Sequence, residues 1–298
     1  MRTAGRRTTT GWVLTRFTAV LLAAAASTRA ATAPTLALIE GIGDRQAAPA
    51  VRAEIETALL KDAGFTLVDR EAITKILREH ELAAAELTAR QNRVQLGQLV
   101  PADVLLFLQT VPASKPPLAR LTLTESRTGI VLNEWLWDNE RVIRSAAVLL
   151  KEVKAAADKR DIPLKDRHLI GLLEFRGEES GLGLDSWAGG LGELVMYTLG
   201  RLPSVMVLDR EHLEHLRTER ELTPLDQQLV ASVRLLECGF RRKSDKGDLT
   251  CTISLRALGR ADPLISTVNV KYDDPAGAQE QIASVVAGLL KAGVVPAE

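Results

Sequence analysis

The chain has 298 residues, and its 38 lysines and arginines balance 38 aspartates and glutamates to a formal net charge of zero. This balance argues against a protein that binds nucleic acid by neutralising phosphates, although a local basic patch stays open. Two cysteines are too few for a scaffold held together by disulfides. The length is sufficient for two domains that each bury a core.

The first 33 residues have the pattern of a secretory signal peptide. Four arginines lie within the first 16 residues, an apolar run covers residues 17–26, and small residues follow as far as Ala33. These features are typical of a segment that is removed on export. The apolar run is shorter than the about 20 residues that span a bilayer, and an uncleaved anchor is the alternative. We therefore expect an exported protein of the periplasm or cell envelope, associated with the outer membrane and without an integral span after cleavage.

One stretch of sequence occurs twice at a constant offset of 140 residues, so that Asp69 in the first copy corresponds to Asp209 in the second. Residues 67–82 recur as residues 207–222, and the two share an Asp-Arg-Glu triplet and a later Glu-x-Glu-Leu. A repeat with this spacing is too long for a solenoid unit and indicates a duplicated domain. In both copies an apolar pair ends a strand, and the aspartate is placed to cap the next helix. The triplets are Asp69, Arg70 and Glu71, and Asp209, Arg210 and Glu211.

Apolar periodicity predicts the same order of elements in both halves of the chain. The order is β-α-β-α-α-β-β-β-α, which is typical of an α/β unit with a mixed sheet and helices. Residues 34–158 are the first predicted domain, and residues 167–298 are a second, divergent one. Residues 159–166 carry charge and a proline and are predicted to be a linker. The sequence therefore predicts two tandem α/β domains.

Three motifs in the first half together carry a family resemblance. They are a strand followed by Asp69-Arg70-Glu71, the segment Leu96-Gly97-x-Leu99-x-x-Ala102-Asp103-Val104-Leu105, and a strand ending Thr128-Gly129-Ile130-Val131. In these motifs the chain resembles the CsgG family of curli-assembly and related envelope lipoproteins, whose related folds include the TolB amino-terminal domain. The resemblance covers residues 35–155 well and residues 166–292 more faintly. It implies two tandem copies of a CsgG-like domain.

The resemblance also implies a function. Members of the family face the periplasm, are not enzymes, and assemble into rings or bind envelope partners. It thus implies a non-catalytic envelope binding or assembly component, whose partner is an envelope protein or a second copy of itself. The pore-forming members carry long spanning hairpins and an acylated cysteine. The strands within residues 104–137 are too short for such hairpins, and Cys238 and Cys251 lie far from the start, so we do not expect a pore.

A second interpretation is a periplasmic module that binds a small molecule or an anion through the glycine-rich residues 177–192. These glycines match neither a dinucleotide-binding loop nor a P-loop. His212 and His215 are one helical turn apart, but no second pair of ligands completes a zinc site. The Asp-Arg pairs of the repeat resemble an acid and its electrophilic partner, but catalytic pairs are seldom duplicated with their scaffold. We expect no catalytic residue, metal or cofactor.

Two further pairs of residues lie in predicted strands. Cys238 and Cys251 occupy the two arms of one hairpin, which places Cys238 opposite Ile253 and Cys251 on the same face. A cross-strand disulfide and two buried thiols are both consistent with this placement. Trp135 and Trp137 share one face of a strand. They either pack into the core or, if they are exposed, form a candidate interface.

Overall fold

Ten strands form one mixed sheet in the computed structural model, which describes most of the chain after residue 32. The described ranges are 33–41, 46–61, 64–80, 90–111, 116–178, 183–208, 213–214, 216, 224–243, 247–258 and 262–292. The strands are β1 (Thr35–Glu40), β2 (Thr66–Leu67), β3 (Val104–Val111), β4 (Leu118–Glu125), β5 (Val131–Asp138), β6 (His168–Gly177), β7 (Val205–Leu208), β8 (Val233–Arg242), β9 (Asp248–Ala257) and β10 (Leu264–Lys271). The helices are α1 (Pro49–Lys61), α2 (Arg70–Glu79), α3 (Arg90–Leu99), α4 (Asn139–Ala157), α5 (Leu184–Gly200), α6 (Pro224–Ser232) and α7 (Pro275–Ala292).

The strand order shows how the two halves of the chain are joined. Across the sheet it is β10-β9-β8-β6-β7-β5-β4-β3-β1-β2, so the five strands of each half follow the same internal order. The halves meet where β5 pairs with β7 in antiparallel fashion, with Val131 opposite Val207. We call this join the seam. Because the sheet is continuous through the seam, the described residues from Ala33 onward form one compact unit rather than two separate domains.

The second half is turned over relative to the first, because β5 and β7 are antiparallel. On one face of the sheet, α1 and α4 share a core with Leu229 of α6 and with strands of both halves. On the other face, α5 and α7 cover the second half, whereas α2 and α3 cover the first. Strand β3 is buried on both faces, with Leu106 in one core and Leu105 in the other, as its continuous apolar sequence predicts.

Asp69 begins the helix of the repeated motif in the first half. Its side chain accepts a hydrogen bond from the backbone N–H of Glu71 at 2.9 Å, which confirms the predicted cap on α2. Arg70 turns away from the helix, and its guanidinium lies 3.4 Å from the carboxylate of Glu40. The second copy of the triplet, Asp209, Arg210 and Glu211, lies outside the described residues.

Gly97, in the segment Leu96-Gly97-x-Leu99, lets α3 lie directly on the turn that follows β4. A Cβ atom at Gly97 would be 2.7 Å from the carbonyl carbon of Ser126. A neighbouring backbone cannot give way as a flexible side chain can, so a side chain here would push the helix off the sheet. The motif therefore has a packing role in this chain.

Residues 159–166, the predicted linker, are packed against the sheet. Two short 3₁₀ helices, Asp158–Asp161 and Leu164–Asp166, lead from α4 towards β6. Lys159 and the following Arg167 are each only 4% exposed. Both charged groups are buried because the fold supplies oxygen acceptors for them inside the molecule.

Trp135 and Trp137 belong to the core, and this excludes them as an exposed interface. The Nε1–H of Trp135 donates to Glu152 of α4 at 2.7 Å. The guanidinium carbon of Arg141 lies 4.1 Å from the centre of the Trp137 ring. Alternation along β5 sends both indoles to the face that α4 covers, so the core alternative is confirmed.

Candidate functional site

The seam is closed by the end of helix α5, which lies against both of the joined strands. A Cβ atom at Gly200 would be 3.5 Å from Val207 of β7 and 3.6 Å from Oδ1 of Asn133 of β5. A cavity of about 350 Å³ remains beside this contact. It is lined by residues of β5, by Val207 and by one side of α5, namely Glu193, Met196, Tyr197 and Gly200.

Lys159 holds the seam together from inside. Its ammonium donates to the carbonyl oxygens of Leu132 at 2.9 Å and Val205 at 3.0 Å, and also to the carbonyl oxygen of Gly200. These three carbonyls come from β5, β7 and the end of α5, so one side chain ties the three elements together. Burial lowers the pKa of Lys159 to about 8.

Glu134 brings a carboxylate to the seam cavity. Burial raises the pKa of Glu134, Arg120 at 3.3 Å opposes the rise, and the nearby Glu193 of α5 adds to it. The rise in pKa means that the folded protein holds a proton here more readily than the unfolded chain does. The contribution of Glu134 to stability is therefore present at low pH and falls as the pH rises through its folded pKa.

A buried ion pair links the end of β4 to the connection between the halves. Nη1 of Arg167 lies 2.9 Å from Oε2 of Glu125, and Nη2 lies 3.3 Å from Oε1. Thr128 donates a further hydrogen bond to Oε2 at 2.6 Å, and the Nε–H of Arg167 donates to the carbonyl oxygen of Ile162 at 2.7 Å. The pair is therefore bidentate and supported on both sides, which is the geometry that a buried pair needs.

A cleft of about 730 Å³ lies at the opposite end of the first half, beside β2. It opens between α1 and α2 at the carboxyl ends of the parallel strands β1 and β2, where ligands of α/β sheets commonly bind. Its floor is apolar and its rim is ionic, with Glu40 between Arg52 at 3.3 Å and Arg70 at 3.4 Å. Among the described residues of its lining, three arginines balance three carboxylates, and this balance does not favour an anion; they are Arg52, Arg70, Arg78, Glu40, Glu56 and Asp69.

The other end of the sheet is the outer edge of β10. This strand has eight residues and pairs only with β9 among the described strands. Ile265 is 63% exposed and Leu264 is 40% exposed, although both are large apolar residues. Natural sheets usually protect a long edge strand with charged residues, with proline, or with a helix or loop that covers it, because unpaired backbone groups at an open edge can pair with a strand of another chain.

The glycine-rich residues 177–192 do not form one loop. Residues 179–182 lie outside the described residues, and residues 184–192 belong to α5. A Cβ atom at Gly192 would be 3.0 Å from the ring of Phe175, so this glycine serves helix packing. The N–H of Gly177 donates to the Asp185 carboxylate at 2.9 Å, which places a negative charge where an anion would bind.

The two cysteines are buried free thiols. Cys238 pairs with Ile253, and Cys251 pairs with Phe240, which is the register that the hairpin predicts. A hydrogen bond with Cys251, together with burial, raises the pKa of the Cys238 thiol. Such thiols carry little thiolate and react slowly. His212 and His215 lie outside the described residues, and the part of the chain that is described has no cluster suited to a metal ion.

No family model and no curated protein matches the chain. The LpoB C-terminal domain from Salmonella enterica is similar to part of it, with a TM-score of 0.29 and 17% identity over 35% of this chain and 81% of that one. A PelC dodecamer from Paraburkholderia phytofirmans gives a TM-score of 0.26 and 12% identity over 41% of this chain and 86% of that one. Likenesses at these TM-scores carry no argument about function.

Among the described residues, none of the helices is both long enough and apolar enough to span a bilayer.

Proposed function

We propose that the protein is a non-catalytic, exported component of the cell envelope that binds or assembles with its partners through the free edges of its sheet. The observation that carries this proposal is the open edge of β10, which presents Leu264 and Ile265 to solvent. An extended segment added to such an edge gains main-chain hydrogen bonds and buries the apolar side chains. Leu264 and Ile265 are neighbours on an unpaired strand edge, so one docked strand would cover both.

The envelope location rests on the sequence. Residues 1–33 have the pattern of an export signal, and the motifs of residues 35–155 resemble the CsgG family. We further propose that the two halves are diverged copies of one CsgG-like domain, since their strands have the same order and their sequences share the 140-residue offset. The chain would act as a binding or assembly component and not as the pore itself.

Site-specific photo-crosslinking in the native organism tests this function. A photoreactive residue at Ile265 should give covalent adducts in the envelope fraction, on a chain whose first residue lies near position 34. The matched control is the same probe at Val148, which is 54% exposed on α4, away from the sheet edges. Intact chain in the cytoplasm, or equal adducts from the two positions, would contradict the proposal.

A further inference from the structure

The seam is an internal example of how an end of this sheet can be extended. In the seam, the β5 edge of the first half meets the β7 edge of the second half. Among the described strands, the edges left free are β10, which occupies the place of β5 in its half, and β2, which occupies the place of β7. When the parallel and antiparallel pairings are followed across the whole sheet, β10 runs antiparallel to β2, as β5 does to β7. The two free edges therefore correspond to the two that are already joined.

Helix α1 and strand β2 match the second-half side of the seam residue by residue. At the offset of 140, the buried residues Val51, Ile55 and Leu59 correspond to Leu191, Val195 and Leu199, all of which are buried in α5. At the same offset, three residues that line the cleft beside β2 correspond to three that line the seam cavity. They are Glu56, Leu60 and Leu67, which correspond to Met196, Gly200 and Val207.

Strand β10 matches the first-half side of the seam. Following the pairing outward from Leu67 leads through β1 and β3 to Glu125, and following it from Val207 leads through β6 and β8 to Ala257. Glu125 of β4 and Ala257 of β9 are therefore equivalent positions. Two residues before each of them, Leu123 of β4 pairs with Asn133 of β5, and Leu255 of β9 pairs with Leu264 of β10. Leu264 and Ile265 therefore stand at the ladder positions of Asn133 and Glu134, which line the seam cavity.

These correspondences bring two exposed leucines together. In the seam, Gly200 lies against Asn133. Their counterparts at the free ends are Leu60, which is 75% exposed, and Leu264. The seam therefore has a glycine against an amide side chain, whereas the equivalent positions at the two free edges of the sheet both carry leucine. A contact between copies would remove both leucines from water, which favours association.

We propose that a second copy of this chain is the partner, and that copies join head to tail with the β2 edge and α1 of one copy against β10 of the next. Leu60 of one copy lies against Leu264 of its neighbour, and α1 covers Ile265 as α5 covers Glu134 in the seam. The exposed Ala53 stands where Glu193 stands in α5, which leaves room for the isoleucine. Such a contact is heterologous, because it uses two different surfaces, and it generates chains of copies. This inference rests on the edge-binding function proposed above and names its partner.

Disulfide trapping tests the contact directly. The mature chain with Leu60→Cys and Leu264→Cys should form a ladder of covalent dimers, trimers and larger species under mild oxidation. Nine strand spacings of about 4.8 Å separate the two edges within one copy, so the bond can form only between copies. Mixing the two single variants should give the mixed dimer and no ladder. The matched control carries Val148→Cys with Leu264→Cys.

A second variant keeps the test decisive without new cysteines. Ile265→Lys should weaken self-association at least tenfold, because it places a charge in the buried contact, while Val148→Lys should leave it unchanged. Trapping no stronger than in the control, in variants whose circular dichroism is unaltered, overturns the head-to-tail contact. If trapping fails while the probe at Ile265 still captures an envelope protein, only the self-partner is wrong. If both fail, the edge-binding function falls as well.

Discussion

Arg167→Met is expected to lower the free energy of unfolding by about 3–5 kcal/mol, the usual cost of leaving a buried charge without its partner. Arg167 makes a bidentate pair with Glu125 and donates to the carbonyl oxygens of Ile162 and Arg160. Without the guanidinium, Glu125 remains buried with only the hydroxyl of Thr128 as a side-chain donor among the described residues. Urea unfolding at pH 7, followed by circular dichroism, measures the change.

Two further variants separate the ion pair from a general loss of packing. The double variant Glu125→Met with Arg167→Met should recover much of the lost stability, because neither charge is then left unpaired. Arg241→Met is the surface control, since the pair of Arg241 with Glu178 at 3.1 Å is exposed and should contribute no more than about 1 kcal/mol. A loss below about 1 kcal/mol in Arg167→Met would show that the link between the halves is not needed.

Lys159→Met is expected to destabilise the protein by about 2–3 kcal/mol at pH 7. The ammonium satisfies carbonyls of Leu132, Gly200 and Val205, and a thioether leaves all three without that donor. Removing a buried charge gives back part of this loss, which is why the expected value is below the sum of three charged hydrogen bonds. Lys151→Met, at an exposed position of the preceding helix α4, is the matched control and should be nearly neutral.

The pH dependence of the stability difference distinguishes the ionisable group of Lys159 from a purely packing contribution of its side chain. Its pKa is about 8 in the folded protein, against an ordinary value of 10.5. Between these values the unfolded chain keeps a proton that the folded protein has released, so this group makes stability rise with pH across that window. Lys159→Met loses the rise, and the stability difference between wild type and variant should therefore grow from about pH 8 towards pH 10. A constant difference would contradict the assignment.

Local features of the fold could be predicted from the sequence because they depend on neighbouring residues. The cap at Asp69, the doubly buried strand β3 and the register of Cys238 opposite Ile253 each follow from a short pattern. The seam could not be predicted in this way. It depends on which edge of one half pairs with which edge of the other. The residues around Val131 and those around Val207 contain no sequence pattern that predicts this pairing.

The buried charges were missed for a related reason. Lys159 begins a charged segment with a proline and Arg167 directly follows it, and such segments are usually solvated. Their burial depends on oxygen atoms that β5, β7 and β4 bring from far along the chain. Likewise, the exposure of Leu60 and Leu264 cannot be read from periodicity, because an apolar residue at the end of a sheet has the same pattern as one inside it.

The central claim, that the two free edges of the sheet fit each other as β5 fits β7, is tested most directly by native mass. Multi-angle light scattering on residues 34–298, without detergent and over a wide range of protein concentration, should show mass rising with concentration. The rise should disappear in Ile265→Lys and persist in Val148→Lys. A strict monomer at every concentration would contradict the claim.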